Sequence, residues 1–573
     1  MSGADAYVGI PDKRDPAAVG HALRSIMTDA HADTLKPHNR DHAIKAIIAD
    51  LANKDILDTA SDEPIWQAWD IDTYENALEC IKVLARSQAG SSYLSTPVGI
   101  RTLQLHAGRE FDQAALKRNT TKSQQAAVSA LCNVLLLHRS APELCVREGL
   151  GKWALRESAG DVAAKGDELW SFLMARVIMV LTSRATYGFL ENLVDELDGI
   201  HVIKARLDCY IQNPSQSHLA LVEYMKILYH IFALYPETQG REWDKRFDQF
   251  CPLVLELLRV CPVKDLAPPL TSIVNVCTRF APEVLKDSVS SGSLLFEAAA
   301  RILDATIGYL LKTLPPLPWK PGDAIPSLQY NQQSIETLDN VLPPPLLAIV
   351  NLMHADGEVK RQMKERIIPG DLDRSIEAGP LEERFDVLSY MLRLSRSALN
   401  HMTAVSVGEV LWVVCDENAS KLSNEIGYGN AAGILFHKGM TLPPQPEATV
   451  EELPNEPVSL QRVNDHEDSA RNPITGLEQN EQTLQHPSAD MTEEEKDREA
   501  EKMMALFDRM ARNPAMQLVE NPMQEAVRSG KIDAWEKDEH EKKLQRIQQE
   551  DEADEDGAAK EIAEWKRRMG QSQ

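Results

Sequence analysis

Lys82 and Arg86 stand one helical turn apart, and so share a face, in a chain whose 87 acidic residues outnumber its 61 basic ones. Two cations so placed can grip a carboxylate, or they form a solvated basic face. Four polar residues interrupt otherwise apolar runs: Asn133 in LCNVLLL, Arg176 in ARVIMVL, Asn275 in IVNVC and Asn351 in IVNLM. An unpaired buried amide or guanidinium is strongly destabilising. Each must therefore bond within the fold or face a groove that a ligand fills, and the sequence leaves both open.

Covalent chemistry finds no comparable setting. The stretch GYGNAAG at 427–433 superficially fits a dinucleotide-binding pattern, which needs a preceding strand inside a βαβ unit. Apolar helical runs precede it and Pro443 follows, so Gly427, Tyr428, Gly429 and Asn430 are expected at a junction where one helix ends and another begins. Neither a phosphate-cradling GxxxxGK[ST] loop nor a GxSxG or HExxH motif is present. His38 and His42 have metal-compatible helical spacing, with His31, Asp29, Asp33 and Asp41 nearby, and read as solvated surface. Cys132 and His138 fall in an apolar stripe and read as core. No catalytic side chain, cofactor or metal is expected.

The net charge of −26 argues against a nucleic-acid or anionic-membrane binder, which needs a basic footprint. Hydrophobic residues make up 43% and charged residues 26%, enough to bury a large core. The charge is uneven: 32 acidic and 17 basic residues lie beyond residue 440, giving that part −15. The eight cysteines form no CxxC pair and mostly occupy apolar patterns, so they are expected to be reduced core residues. No secretory leader, lipidation site or uninterrupted apolar run of 18 residues is found. The expectation is a cytoplasmic monomer without membrane insertion.

These side chains must be positioned by helices. Apolar residues recur at intervals of three and four, and seven segments look alike: 77–85, 130–138, 175–183, 225–234, 270–280, 346–355 and 387–395. Their centres are separated by roughly 53, 44, 50, 46, 75 and 42 residues, near the period of about 40–47 of HEAT and armadillo helical repeats. Each is apolar on nearly all faces, so it must be sandwiched between neighbours. The expected fold is all-α: an armadillo/HEAT-type superhelix with a concave groove, spanning 1–440. Prolines at 314–326 and 342–345 predict a long surface loop inside it. Residues 441–490 are acidic and proline-rich without apolar periodicity, a flexible linker. In 491–512, Thr492 and Glu495 form a capping box, and Ala500, Met503, Met504, Phe507 and Met510 form one apolar stripe suited to docking on a partner or on the body. Residues 513–573 are an acidic tail, partly helical or disordered.

Three ordered blocks carry a family resemblance: GYGNAAGILFHKGM at 427–440, NPITG at 472–476 and MTEEEKDREAEKMMALFDRMAR at 491–512. Together they resemble the synembryn family, also called resistance to inhibitors of cholinesterase. Weaker similarity in ALCNVLL, ARVIMVLTS, EYMKIL and EVLWVVCDE extends it over roughly 70–512. The resemblance implies a cytoplasmic, non-receptor guanine-nucleotide exchange factor and folding chaperone for heterotrimeric G-protein α subunits. It implies that the groove grips the C-terminal helix of the α subunit, loosens the guanine pocket so that GDP leaves, and holds the nucleotide-free state. Lys82, Arg86 and Asn133 would then hold the end of the partner helix, with Arg176 and Met179 in the next repeat. Met503, Met504, Phe507 and Met510 would embrace the nucleotide-binding domain.

Animal members carry an acidic Ser/Thr stretch whose phosphorylated residues dock on basic residues of a late repeat. Here the linker offers Thr449, beside Glu451 and Glu452, as the phosphorylation candidate, and Ala404 and Val405 stand where the basic residues would be. The alternative function is a passive helical adaptor that binds a peptide without changing nucleotide exchange.

Overall fold

The computed structural model describes residues 3–32, 34–57, 64–108, 120–160, 167–183, 188–240, 242–288, 292–313, 338–397, 400–440 and 475–477. All belong to one compact unit, Met1–Glu478; a second, Gln479–Gln573, lies outside the described residues. So do 491–512 with its Met/Phe stripe, Thr449 and the proline-rich segment at 314–326.

Among the described residues the chain is all-α, with α-helices, short 3-10 turns and no strand. One series of helices forms a ladder in which each packs on the next: Pro16–His31, Ile71–Leu84, Thr121–Leu137, Glu168–Thr182, Leu219–Thr238, Leu270–Cys277, Pro343–Ala355 and His401–Val414. Flanking helices, among them Gly199–Gln212, Cys251–Val260, Gly292–Thr313 and Gly357–Ile367, pack on one another in a second series. Six of the seven alike segments fall on the first ladder. The seventh, Val387–Ser395, forms a helix beside it, and the ladder passes instead through His401–Val414, which is buried on nearly all sides.

Helix starts follow local chemistry. Asp15, Asp70, Asp167, Asp356, Asp386 and Asn418 each accept from a backbone N–H in the following turn, satisfying a donor that the helix leaves free. Thr120 and Ser123 form a reciprocal capping box. Proline opens the Pro16, Pro37, Pro97 and Pro343 helices, where its missing N–H costs nothing.

Several helix ends are closed by a side chain of a later helix. Asn133 Nδ2 donates to the carbonyl of Lys82 (3.3 Å), near the end of the Ile71–Leu84 helix. Asn351 Nδ2 donates to the carbonyls of Thr278 and Phe280, both at 3.3 Å, just past Cys277. In the second series, His106 contacts the Leu51 carbonyl (2.9 Å), Arg206 donates to the carbonyls of Ser158 and Gly160, and Arg301 to those of Cys261 and Val263. The last carbonyls of a helix lack internal partners and carry its negative dipole end, so amide and guanidinium donors suit them. The core between the series includes Phe232, which lies 5.2–5.9 Å from the rings of Trp243, Phe247, Phe250 and Phe280. No described helix is long and apolar enough to cross a membrane.

Candidate partner-binding face

Lys82, Asn133, Arg176 and Met179 lie on successive helices of the first ladder, whereas Arg86, expected one turn after Lys82 on the same helix, falls beyond the helix end at Leu84. Lys82 is in the last turn of Ile71–Leu84, and its Nζ pairs with Glu79 Oε1 at 2.6 Å. Arg86 follows the helix end, is exposed, and makes no side-chain hydrogen bond or ion pair among the described residues. Asn133 is half-buried on the next helix and reaches back to Lys82, so the fold brings these two together. Asn275 is exposed, whereas Asn351 is half-buried and engaged at the Cys277 helix end.

Arg176 Nη1 donates to Glu223 Oε1 at 2.8 Å, and Lys226 Nζ donates to the same oxygen at 3.0 Å. The Glu223 side chain is 3% exposed; those of Arg176 and Lys226 are 28% and 41% exposed. A buried carboxylate thus anchors two cations whose outer surfaces reach solvent. With one carboxylate between two cations, the cluster carries a net positive charge. The sequence reading found Arg176 and missed Glu223 and Lys226, although a carboxylate three residues before a lysine within EYMKIL was a visible signal. One turn further, the Arg279 guanidinium lies 5.8 Å from the Tyr229 ring, and Tyr229 is exposed. Met179 is 8% exposed and packs in the core, leaving little of its surface to a partner.

Nucleophilic chemistry has no support on this face. Burial pushes the Cys132 thiol up to about 12, although Arg176 nearby acts the other way. His138 is engaged by Ser91 Oγ at 2.9 Å. The His38 and His42 rings stand 3.9 Å apart, and no group of three potential metal ligands converges among the described residues. All eight cysteines are free, and only Cys209 is exposed. A cleft of about 630 Å³, lined by Trp153, Lys152, Arg156, Glu196 and Asp198, shares no residue with the candidate face and mixes both signs of charge.

The glycine-rich stretch sits at the far end of the array. Gly427 (φ 79°) separates the Ala419–Ile426 and Tyr428–His437 helices. Tyr428 is half-buried and Gly429 exposed in the first turn. Asn430 Nδ2 donates to the Ile426 carbonyl at 3.0 Å and to Glu382 Oε2 at 3.2 Å. Ala404 is buried and Val405 half-buried in the His401–Val414 helix.

Residues 77–531 match the family described as guanine nucleotide exchange factor synembryn (Ric8). The chain is 22% identical over 544 residues to the chaperone Ric-8A of Rattus norvegicus, covering 88% of this chain and 93% of the relative. It is 21% identical to the Mus musculus chaperone Ric-8A with the same coverage. The Xenopus tropicalis chaperone Ric-8A is 23% identical over 468 residues, covering 77% of this chain and 81% of the relative.

Proposed function

The chain belongs to the synembryn family of guanine nucleotide exchange factors, and from that membership we propose that it promotes GDP release from a heterotrimeric G-protein α subunit and stabilises the nucleotide-free or nascent subunit. The observation that carries this reading is the family match over 77–531, which takes in most of the helical array, from within the Ile71–Leu84 helix onward, and the Met/Phe stripe at 491–512. The stacked ladder, read as an armadillo/HEAT superhelix, presents Lys82, Arg86, Asn133, Arg176 and Lys226 to the C-terminal helix of the α subunit. A helix C-terminus bears a carboxylate or free carbonyls and the negative dipole end, so cations and amide donors complement it. Glu223 keeps Arg176 and Lys226 in place, which lowers the ordering cost of binding.

Exchange needs no catalytic side chain. It requires only that the factor bind the empty α subunit more tightly than the GDP-bound one, because a ligand shifts an equilibrium by its differential affinity alone. Applied to a newly made subunit, the same preference is a chaperone activity. The segment 491–512 contributes Met503, Met504, Phe507 and Met510 as a second contact. We place the protein in the cytoplasm as a monomer, brought to membranes only by its partner.

Complex formation tests this directly. Purified chain and α subunit should co-elute after GDP is removed and separate when excess GTP is added. Co-elution that ignores nucleotide would instead support a passive adaptor.

A further inference from the structure

The chain returns to the array after the last described helix, Tyr428–His437. Residues 475–477 lie against the corner made by Ile426 and Gly427, with thirty-four residues, 441–474, between them and Met440. Arg374, 5% exposed, binds both sides of that corner: Nη1 donates to the carbonyls of Glu425 (2.7 Å) and Gly476 (2.8 Å), and Nη2 to Glu425 Oε2 (2.7 Å). Lys364 pairs with the other Glu425 oxygen at 3.1 Å. Gly476 is buried, with φ 71°, a region that favours glycine. A Cβ there would stand 2.8 Å from the Gly427 nitrogen and 3.0 Å from the Ile426 carbonyl carbon. Glycine is thus required both by conformation and by close approach. Leu477 adds an apolar contact with the core.

We infer that Arg374, Glu425, Gly427 and Gly476 form a clasp that re-anchors the chain to the array, and that this clasp fixes the point from which the 491–512 segment is delivered. Arg374 is a positioning residue here: its guanidinium satisfies a buried backbone carbonyl of the returning segment while neutralised by Glu425. Thirteen residues, 478–490, separate the clasp from Met491; without it, fifty residues, 441–490, would do so. At no more than about 3.6 Å per residue, the clasp cuts the maximum reach of that segment from about 180 Å to about 50 Å. A shorter tether raises the effective concentration of a second contact once the first is made. The anchoring is a property of this chain alone; its effect on exchange rests on the function proposed above.

The test uses the full chain with a benzoylphenylalanine photo-crosslinker at Thr475, which is exposed. Irradiation should join it to peptides covering 374–384 or 419–430. Gly476→Val leaves every array residue intact and should lower that yield by about tenfold or more, since it combines a left-handed backbone, a β-branched side chain and a clash. Arg374→Gln should lower it too, with the helical circular dichroism retained. No crosslink in the parent chain, or an unchanged yield in Gly476→Val, overturns the clasp. Gly476→Val should also slow GDP release from an α subunit while the parent chain accelerates it. A lost crosslink with unchanged release overturns the tethering role. If the parent chain releases no GDP, the exchange reading fails while the crosslink still decides the clasp.

Discussion

The side-chain amide of Asn133 donates to the carbonyl oxygen of Lys82 at 3.3 Å, so two residues singled out for partner binding also join consecutive helices. Asn351 repeats the relationship with Thr278 and Phe280. Leucine at either position leaves half-buried carbonyls without these donors. Asn351→Leu should lower unfolding stability by about 1–3 kcal/mol, and Asn133→Leu by about 1 kcal/mol, since it removes one bond rather than two. Urea denaturation of each variant checks the order.

Glu223 ties Arg176 to Lys226 through one buried oxygen. Removing the carboxylate leaves two cations without their anchor, one of them largely screened by solvent. Glu223→Gln should destabilise the chain by about 1–3 kcal/mol, discounted for that exposure. A cycle with Arg176→Met should show strong coupling, the second substitution costing less once the first is made. Additive losses would mean that the two residues act independently.

His106 supplies a pH dependence. Its ring is fully buried between the Tyr74 hydroxyl (2.8 Å) and the Leu51 carbonyl (2.9 Å), and burial pulls its pKa down to about 4. In the unfolded chain a histidine titrates near 6.5. Above that pH both states are neutral and stability is complete. As pH falls from about 6.5 toward 4, the unfolded state takes up a proton that the folded state refuses, and stability drops. The loss between pH 7 and pH 5 should be about 2 kcal/mol from this residue. Burial lowers His138 and His230 in the same direction. Denaturant titrations at the two pH values should show a smaller drop for His106→Gln than for the parent chain.

Arg86 offers the cleaner charge test of the partner face. Lys82→Glu would set a carboxylate beside Glu79, now 2.6 Å from the Lys82 nitrogen, and so disturb the fold as well. Arg86 is exposed and forms no ion pair among the described residues. Arg86→Glu should therefore weaken α-subunit binding by about tenfold or more while leaving thermal unfolding unchanged, and the loss should shrink at high salt. Unaltered affinity would remove Arg86 from the interface.

Helices and core were legible because burial imposes a local period: the 130–138 and 175–183 runs fall on ladder helices whose buried residues include Leu131, Leu135, Val177 and Ile178. The segment 387–395 misled because it is apolar on one face and still helical. It packs beside the ladder, whose position at that point is taken by His401–Val414. The polar interruptions announced that each needed a partner, but not which one, since Asn133 and Asn351 find carbonyls 51 and 71–73 residues away. For Glu223 the local spacing to Lys226 was visible, but its pairing with Arg176, 47 residues away, was not. The clasp left no local pattern, because Arg374 and Gly476 are 102 residues apart; NPITG stood out only through its resemblance.

The central claim is that this chain drives nucleotide release by preferring the empty α subunit. Release of fluorescent GDP from a purified α subunit in excess GTP measures it most directly. The account predicts faster release with the full chain, together with a stable complex when nucleotide is withheld. Unchanged release with every α class offered, with or without a complex, would contradict it.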